Sequence, residues 1–329
     1  MNISTSLRRV KAPLALTAAV MLAASACGGG DAGSKGDGGE GGNGKELSGK
    51  VLIDGSSTVA PLSSAASELY AEEQSKVQVT VATSGTGGGF KKFCVGETDI
   101  SDASRPIKDE EIKTCEQNNI KYEQFAVAND ALSVVVSKDN TWAKCLTVAQ
   151  LKKIWEPGSK VNNWNQVDPK FPNEPLKLFG PGTDSGTFDY FTDEINGEEG
   201  ASRTDYSGSE DDNVIVTGVS GTKGGLGYFG FSYFEENKDK LKAVAVDGGK
   251  GCVDPSATAV QDGTYSPLGR QLFIYPSDAG LKKPQVLDFV EFYVKNHKKI
   301  AEDAQFIPLN AQQEKDLQAA LDKLKAAAK

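Results

Sequence analysis

The chain has 329 residues, 38% of them hydrophobic and 25% charged, and the stretch from about Leu47 to Lys329 is long enough for two lobes that each bury a core. Its 36 basic and 45 acidic side chains give a formal charge of −9; residues 1–26 hold three of the positive charges and no acidic one, so the remainder carries −12. An acidic surface of this kind argues against a nucleic-acid partner, and with no CxxC pair or Cys/His cluster no zinc site is expected.

At the N-terminus Arg8, Arg9 and Lys11 precede an apolar run over 12–24, the pattern of a signal peptide covering residues 1–26. That run is too short to span a bilayer. Ser25, Ala26 and Cys27 resemble a bacterial lipobox, although Ala24 stands where Leu is usual. Cys27 is then expected to carry the lipid that anchors the protein to the membrane. Residues 27–46 are glycine-rich, with no side chain large enough to pack over 28–45, and read as a flexible tether. No other stretch reaches the roughly 18 consecutive apolar residues of a membrane span.

From there short β-type runs alternate with helix-type runs, as in a mostly parallel sheet covered by helices, and the fold class is α/β. Residues 51–54 predict a strand, and Leu62, Ala65, Ala66 and Leu69 the apolar face of a helix. A second strand covers 77–81, before a Gly-rich loop at 85–89 and a short helix holding Phe90 and Phe93. A third covers 99–103, closed by Ser104, Arg105 and Pro106, with Asp109 and Glu110 in the first turn of the next helix. The apolar stretch 131–137 is a buried strand, after which the chain reads as a second lobe.

That lobe is expected to hold a helix over 148–155, a strand over 176–179, a helix beginning near Gly186, and strands over 227–229 and 243–246. The run GRQLFIY (269–275) is a further strand. Two helices follow, with Val286, Phe289, Val290 and Tyr293 on one face of the first and Leu317, Leu321 and Leu324 on the second. They find a core most easily by returning to the first lobe. The expected division is 47–129 plus 266–329 for lobe 1 and 130–265 for lobe 2. After Cys27 four cysteines remain, Cys94, Cys115, Cys145 and Cys252, an even count that predicts two disulfides with three pairings open.

Four strand-to-helix loops are rich in Ser, Thr and Gly: DGSST (54–58), TSGTGGG (83–89), DASR (102–105) and GTDSGT (182–187). A helix start leaves backbone N–H groups without partners and carries the positive end of the dipole, which makes it an anion site. Glycine admits close approach of the backbone and hydroxyls add donors. Each loop alone is equally a capping sequence. Four of them at the carboxyl ends of strands, with one arginine, suit a tetrahedral oxyanion.

The segments VLIDGSSTVAPL, TSGTGGGFKKF, DISDASRPI and LFGPGTDSGTFDYF resemble the phosphate-binding lipoproteins of bacterial ABC phosphate importers, and LTVAQLKKIW, NNWNQV and GGLGYFGFSYF follow in the same order. The resemblance covers nearly everything from Leu47 onward. It implies a type II periplasmic-binding fold, two lobes with a hinged cleft, inorganic phosphate as ligand, and delivery to the membrane permease of an importer, with no cofactor, by a protein expected to be monomeric. By the same match Ser57 and the backbone of Thr58, then Thr86 with Ser84 beside it, and Ser185, Gly186 and Thr187 line the site. Ser104 stands where many members have Asp, and Gly180 and Pro181 where many have Arg. The cation is therefore expected from Arg105, and the proton of bound phosphate is assigned to Asp184, with Asp54 as the runner-up or as the residue that orients Arg105. Within this division of the lobes, Cys94 with Cys115 and Cys145 with Cys252 keep each bridge inside one lobe, and that pairing is expected.

The rival readings are a secreted phosphate-ester hydrolase and an adhesin on the same fold. His297 is the only histidine and reads as a solvated residue near a helix end, so a Ser-His-Asp triad has little to work with. GTGGGFKK is no P-loop, since Phe90 stands where Gly must precede the Lys. DSG at 184–186 occurs once and lacks the partner copy of an aspartic protease. An enzyme is not expected.

Overall fold

A computed structural model describes residues 46–183 and 185–327. Cys27, the apolar run, the tether and Asp184 lie outside the described residues. The first segment runs β1 (Gly49–Gly55), α1 (Ala60–Glu73), β2 (Val77–Ala82), α2 (Thr86–Phe93), β3 (Ile100–Ala103), α3 (Asp109–Gln117) and β4 (Phe125–Ser137). Next come β5 (Cys145–Thr147), α4 (Val148–Trp155), α5 (Trp164–Val167), β6 (Lys177–Pro181) and α6 (Gly186–Phe191), which continues into a π-helical turn over Thr192–Asn196. The chain continues with β7 (Ser207–Ser209), α7 (Asp212–Ser220), β8 (Gly225–Gly230), α8 (Phe231–Glu236), β9 (Leu241–Ala243), β10 (Ala245–Asp247), β11 (Cys252–Val253) and α9 (Ala257–Gln261). It ends in β12 (Gly269–Pro276), α10 (Asp278–Leu281), α11 (Pro284–Asp303) and α12 (Ala311–Ala327).

One nine-stranded sheet has the order β2-β1-β3-β12-β4-β8-β6-β7, with β9 also on β4. The pairs β1–β2, β1–β3, β6–β8 and β6–β7 are parallel, whereas β12 is antiparallel to both β3 and β4. β4 is 13 residues long. Its first part pairs with β12 and its second with β8 and β9, so one extended strand links two parallel half-sheets. The strand read at 131–137 thus begins six residues earlier.

The buried apolar side chains group accordingly. One cluster gathers residues 131–268 with Ile307, and another gathers residues 51–128 with 272–324. In the second, α11 returns across α1: Phe289 meets Tyr70 edge-on at 5.2 Å between ring centres, and the Tyr70 hydroxyl donates to Asp288 at 2.7 Å. Phe289 and Val290 are fully buried, and each such side chain contributes about 1.5–3 kcal/mol over its exposed form. The last two helices therefore pack where their apolar stripes required.

Three local readings change. The Gly-rich loop is helical from Thr86, and its glycines sit inside the first turns. Gly89 is needed there because a Cβ would fall 2.5 Å from the Gly55 Cα, so the helix lies directly on β1. The strand expected over 243–246 is two strands, since Val244 donates to Val134 and Ala245 to Lys144, passing the chain from the large sheet to a small one of β11, β10 and β5. His297 is half-buried within α11 rather than solvated, its Nδ1 has no partner, and burial lowers its pKa. Disulfides join Cys94 to Cys115 and Cys145 to Cys252, as expected. Among the described residues no helix is long and apolar enough to cross a membrane.

Candidate functional site

Loops from both halves of the sheet meet in one cleft of about 370 Å³. Ser57 and Thr58 reach it from the loop after β1, Gly85, Thr86 and Gly87 from the start of α2, Ser104 and Arg105 from the loop after β3, and Gly186 from the start of α6. First and fourth loops touch: a Cβ on Gly186 would lie 2.8 Å from Thr58 Oγ1 and 3.1 Å from Ser57 Oγ, so glycine is what permits the contact. First and third are tied by Ser56 N–H donating to the Asp102 carbonyl at 2.9 Å.

Capping and ligand roles now separate. No side chain caps α1 or α2 at its N-cap residue; Ser56 Oγ accepts from Thr58 N–H at 3.2 Å just ahead of α1, while the hydroxyls of Thr58 and Thr86 pair with Arg270 and Ser104 rather than with their own helix starts. Thr86 and Ser104 hydroxyls pair at 3.1 Å, and Ser104 N–H donates to Thr86 Oγ1. Ser185, by contrast, caps α6 by accepting from Thr187 N–H at 3.2 Å. Neither Ser185 nor Thr187 lines this cleft; Thr187 faces an adjoining cavity of about 230 Å³ that shares Ser57, Thr58 and Gly186 with it. Ser84 is exposed and gives both its hydroxyl and its N–H to Asp54 Oδ1, at 2.8 and 3.0 Å. It braces the loop from outside.

Asp54 does not orient Arg105. It is held by Lys92 together with Ser84, and although its burial alone would raise the pKa, these donors bring it below the ordinary value. Arg105 is instead clamped by both oxygens of Glu111, at 2.9 and 2.8 Å, and also donates to the Pro106 carbonyl. Its fork is largely occupied.

The cation with a different disposition is Arg270, which sequence reading passed over. It opens β12 directly opposite Asp130 on β4. Its Nε donates to Asp130 at 3.3 Å, its Nη2 to Thr58 Oγ1 at 3.2 Å, and its guanidinium lies 3.3 Å above the Tyr190 ring on α6. One side chain on β12 thus touches the first loop and the fourth loop's helix, a stacked and forked arrangement that lysine cannot reproduce. The available signal was a charged residue at the head of each of two apolar runs, NDALSVVV and GRQLFIY. Burial raises the pKa of Asp130, and Arg270 opposes that.

Across the cleft stand Asp189, Asp193, Glu194, Glu198 and Glu199. Burial pushes Asp189 up to about 6, Glu199 adds to this and Arg270 opposes it. The cleft thus sets the hydroxyl and guanidinium donors of one side against a carboxylate wall on the other.

Beneath the first and third loops Asp102 is fully buried. Oδ1 accepts from the Ser63 hydroxyl at 3.0 Å and Oδ2 has no partner among the described residues. Burial pushes the carboxyl from 3.8 up to about 7, the Ser63 bond opposes this and the Asp54 charge adds to it. A carboxyl bound to its proton in the folded state but released near pH 4 in the unfolded chain stabilises most below pH 4 and loses that contribution as pH rises to about 7. Denaturant unfolding between pH 4 and 7 should therefore carry a downward term of up to about 1.4 kcal/mol per pH unit. Asp102→Asn should remove that slope, and an unchanged slope would show that Asp102 is ionised.

Comparison with known proteins places this geometry. The PBP superfamily domain matches residues 36–297. The phosphate-binding protein PstS of Staphylococcus epidermidis is 40% identical over 312 residues, 94% of this chain and 90% of its own length. The chain belongs to the PstS family of phosphate-binding proteins. Protein SphX of Synechococcus elongatus is 50% identical, covering 79% of this chain and 78% of that one. A solved structure described as a possible phosphate binding protein from Planctomyces limnophilus superposes with a TM-score of 0.81 at 45% identity, over 85% of this chain and 99% of that one.

The fold is thus the mixed α/β periplasmic-binding fold. A Cβ on Gly180 would stand 3.0 Å from the Tyr228 ring and 3.5 Å from Tyr206, so any side chain there needs the Tyr228 ring to give way.

Proposed function

We propose that this chain is an extracytoplasmic solute-binding protein that takes inorganic phosphate into the cleft and delivers it to the permease of an ABC importer. The observation that carries the reading is the convergence of the loops leading into α1, α2 and α6 and of the Arg270 fork on one cleft, in a chain 40% identical to a protein named for binding phosphate. The site set is Ser57, Thr58, Thr86, Ser104, Gly186 and Arg270, with Ser84, Arg105, Ser185 and Thr187 as its supports. Asp184 keeps the role of accepting the proton that phosphate retains at neutral pH and sulfate lacks. Residues 47–129 with 266–329 form one lobe and 130–265 the other, hinged on β4 and β12. The protein acts as a monomer and a binder, not a hydrolase.

Calorimetric titration of phosphate-stripped protein should give one phosphate per chain, with sulfate and a neutral sugar not competing. Turnover of a chromogenic phosphate ester by the purified protein would overturn the binding-only reading.

The lipid anchor is part of the same proposal. Cys27 follows an apolar run and precedes a tether, and two acyl chains at one cysteine give stable attachment where one is marginal. Cys27→Ser is expected to release the protein into the medium, and retention of the variant on cells would contradict the anchor.

A further inference from the structure

We propose that the 230 Å³ cavity beside the phosphate cleft is a subsite for the organic part of a phosphoryl ligand, namely a short chain ending in an ammonium group. The inference rests on the phosphate reading of the main cleft, since the phosphoryl end must sit at Ser57, Thr58 and Gly186, which both cavities share.

On the far side of that shared edge the lining changes character. Phe231, Tyr233 and Phe306 line it, together with Asp130, which Arg270 already engages. Asn129 and Ser232 also line it, but they already donate to Pro308, Gln313 and the Gln305 carbonyl, so a phosphate oxygen pointing this way meets rings and a carboxylate, whereas a methylene meets ring faces at no hydrogen-bonding cost. Beyond them stands Asp212, at the first position of α7 and half-buried. Its side chain makes no hydrogen bond or ion pair among the described residues, and burial, with Asp211 and Glu210 adding, pushes it up to about 6. Tyr233 lies close enough to feel the Asp212 charge. A carboxylate without a partner next to an aromatic face is the environment an ammonium group completes, by a charge-assisted hydrogen bond and a cation–π contact. Two carbons and a nitrogen need about 90 Å³ at roughly 30 Å³ for each water-sized group, which the cavity holds with room to turn.

Displacement calorimetry on the full chain tests this with four probes: phosphate, ethylphosphonate, 2-aminoethylphosphonate and phosphoethanolamine. At least one amine-bearing probe is expected to displace phosphate and to bind about tenfold or more tightly than ethylphosphonate, which lacks the charge; the tighter of the two tells whether the linkage is a phosphonate or an ester. Asp212→Asn should weaken that probe by about tenfold or more and change phosphate affinity by less than about twofold. The unchanged phosphate affinity also reports that the variant is folded. Failure of both amines to displace phosphate from a protein that binds it overturns the subsite and leaves the phosphate reading standing. Equal binding of the amine by wild type and Asp212→Asn overturns the subsite as well. If phosphate itself does not bind, the subsite falls with the phosphate reading, whether or not an amine binds.

Discussion

Arg270→Ala is expected to weaken phosphate binding by about a hundredfold or more, far beyond the effect of Arg105→Ala. Both guanidinium groups line the cleft, so charge alone does not separate them. Their commitments do. Arg105 is neutralised by a two-point bond to Glu111, and its removal leaves the loop after β3 still tied to the first loop through Ser56 and Asp102. Arg270 bridges Thr58 and Tyr190 at the point where first and fourth loops meet, and its loss also strands the buried Asp130. Stranding Asp130 falls on stability, while losing a buried charge pairing with the ligand costs about 2–5 kcal/mol, which corresponds to roughly thirty- to several-thousandfold in affinity. Arg270→Lys should fall between the two, keeping the charge but losing the fork and the stack. Calorimetry on the three variants, with thermal unfolding as the control for folding, decides the matter. Equal losses at 105 and 270 would return the cation to Arg105.

Removal of the Cys145–Cys252 bridge by paired alanine substitution should cost about 4–5 kcal/mol of stability, against about 3 kcal/mol for Cys94–Cys115. The bridges close stretches with separations of 107 and 21 residues, and the longer stretch gives the unfolded chain more entropy to regain. Affinity should follow the opposite order. Cys145 and Cys252 join β5 to β11 in the small sheet, and neither lines the cleft. Cys94 instead ends α2, whose start presents Thr86, and ties it to α3, which carries the Glu111 that holds Arg105. The variant less damaged in stability is thus expected to be more damaged in phosphate binding. Denaturant melts paired with phosphate titrations measure both, and parallel losses would refute the separation.

Much of this protein is legible locally. The alternation of β-type and helix-type runs carries the α/β class, because strand and helix burial impose different periods on the chain. Ser, Thr and Gly between them mark anion-type loops, since the chemistry there is backbone N–H and hydroxyl within a few residues of one another. The cysteine pairing expected from the proposed lobe division, one bridge in each lobe, matches the disulfides Cys94–Cys115 and Cys145–Cys252. What sequence could not separate is capping from lining the cleft: Ser185 and Thr86 look alike in the chain, yet one serves its own helix and the other pairs with Ser104 at the wall of the cleft.

Residues whose meaning depends on strands far apart in sequence stayed hidden. Arg270 and Asp130 are 140 positions apart, and only the antiparallel register of β12 on β4 makes them neighbours. Likewise Arg105 reads as a free cation until α3 folds back to bring Glu111 onto it. Composition and periodicity determined the class of fold and the kind of donor at each loop, because both are set by adjacent residues. Which cation is left to serve the cleft was decided by tertiary structure alone, because charge neutralisation depends on distance in space, and distance in space is what a linear chain does not carry.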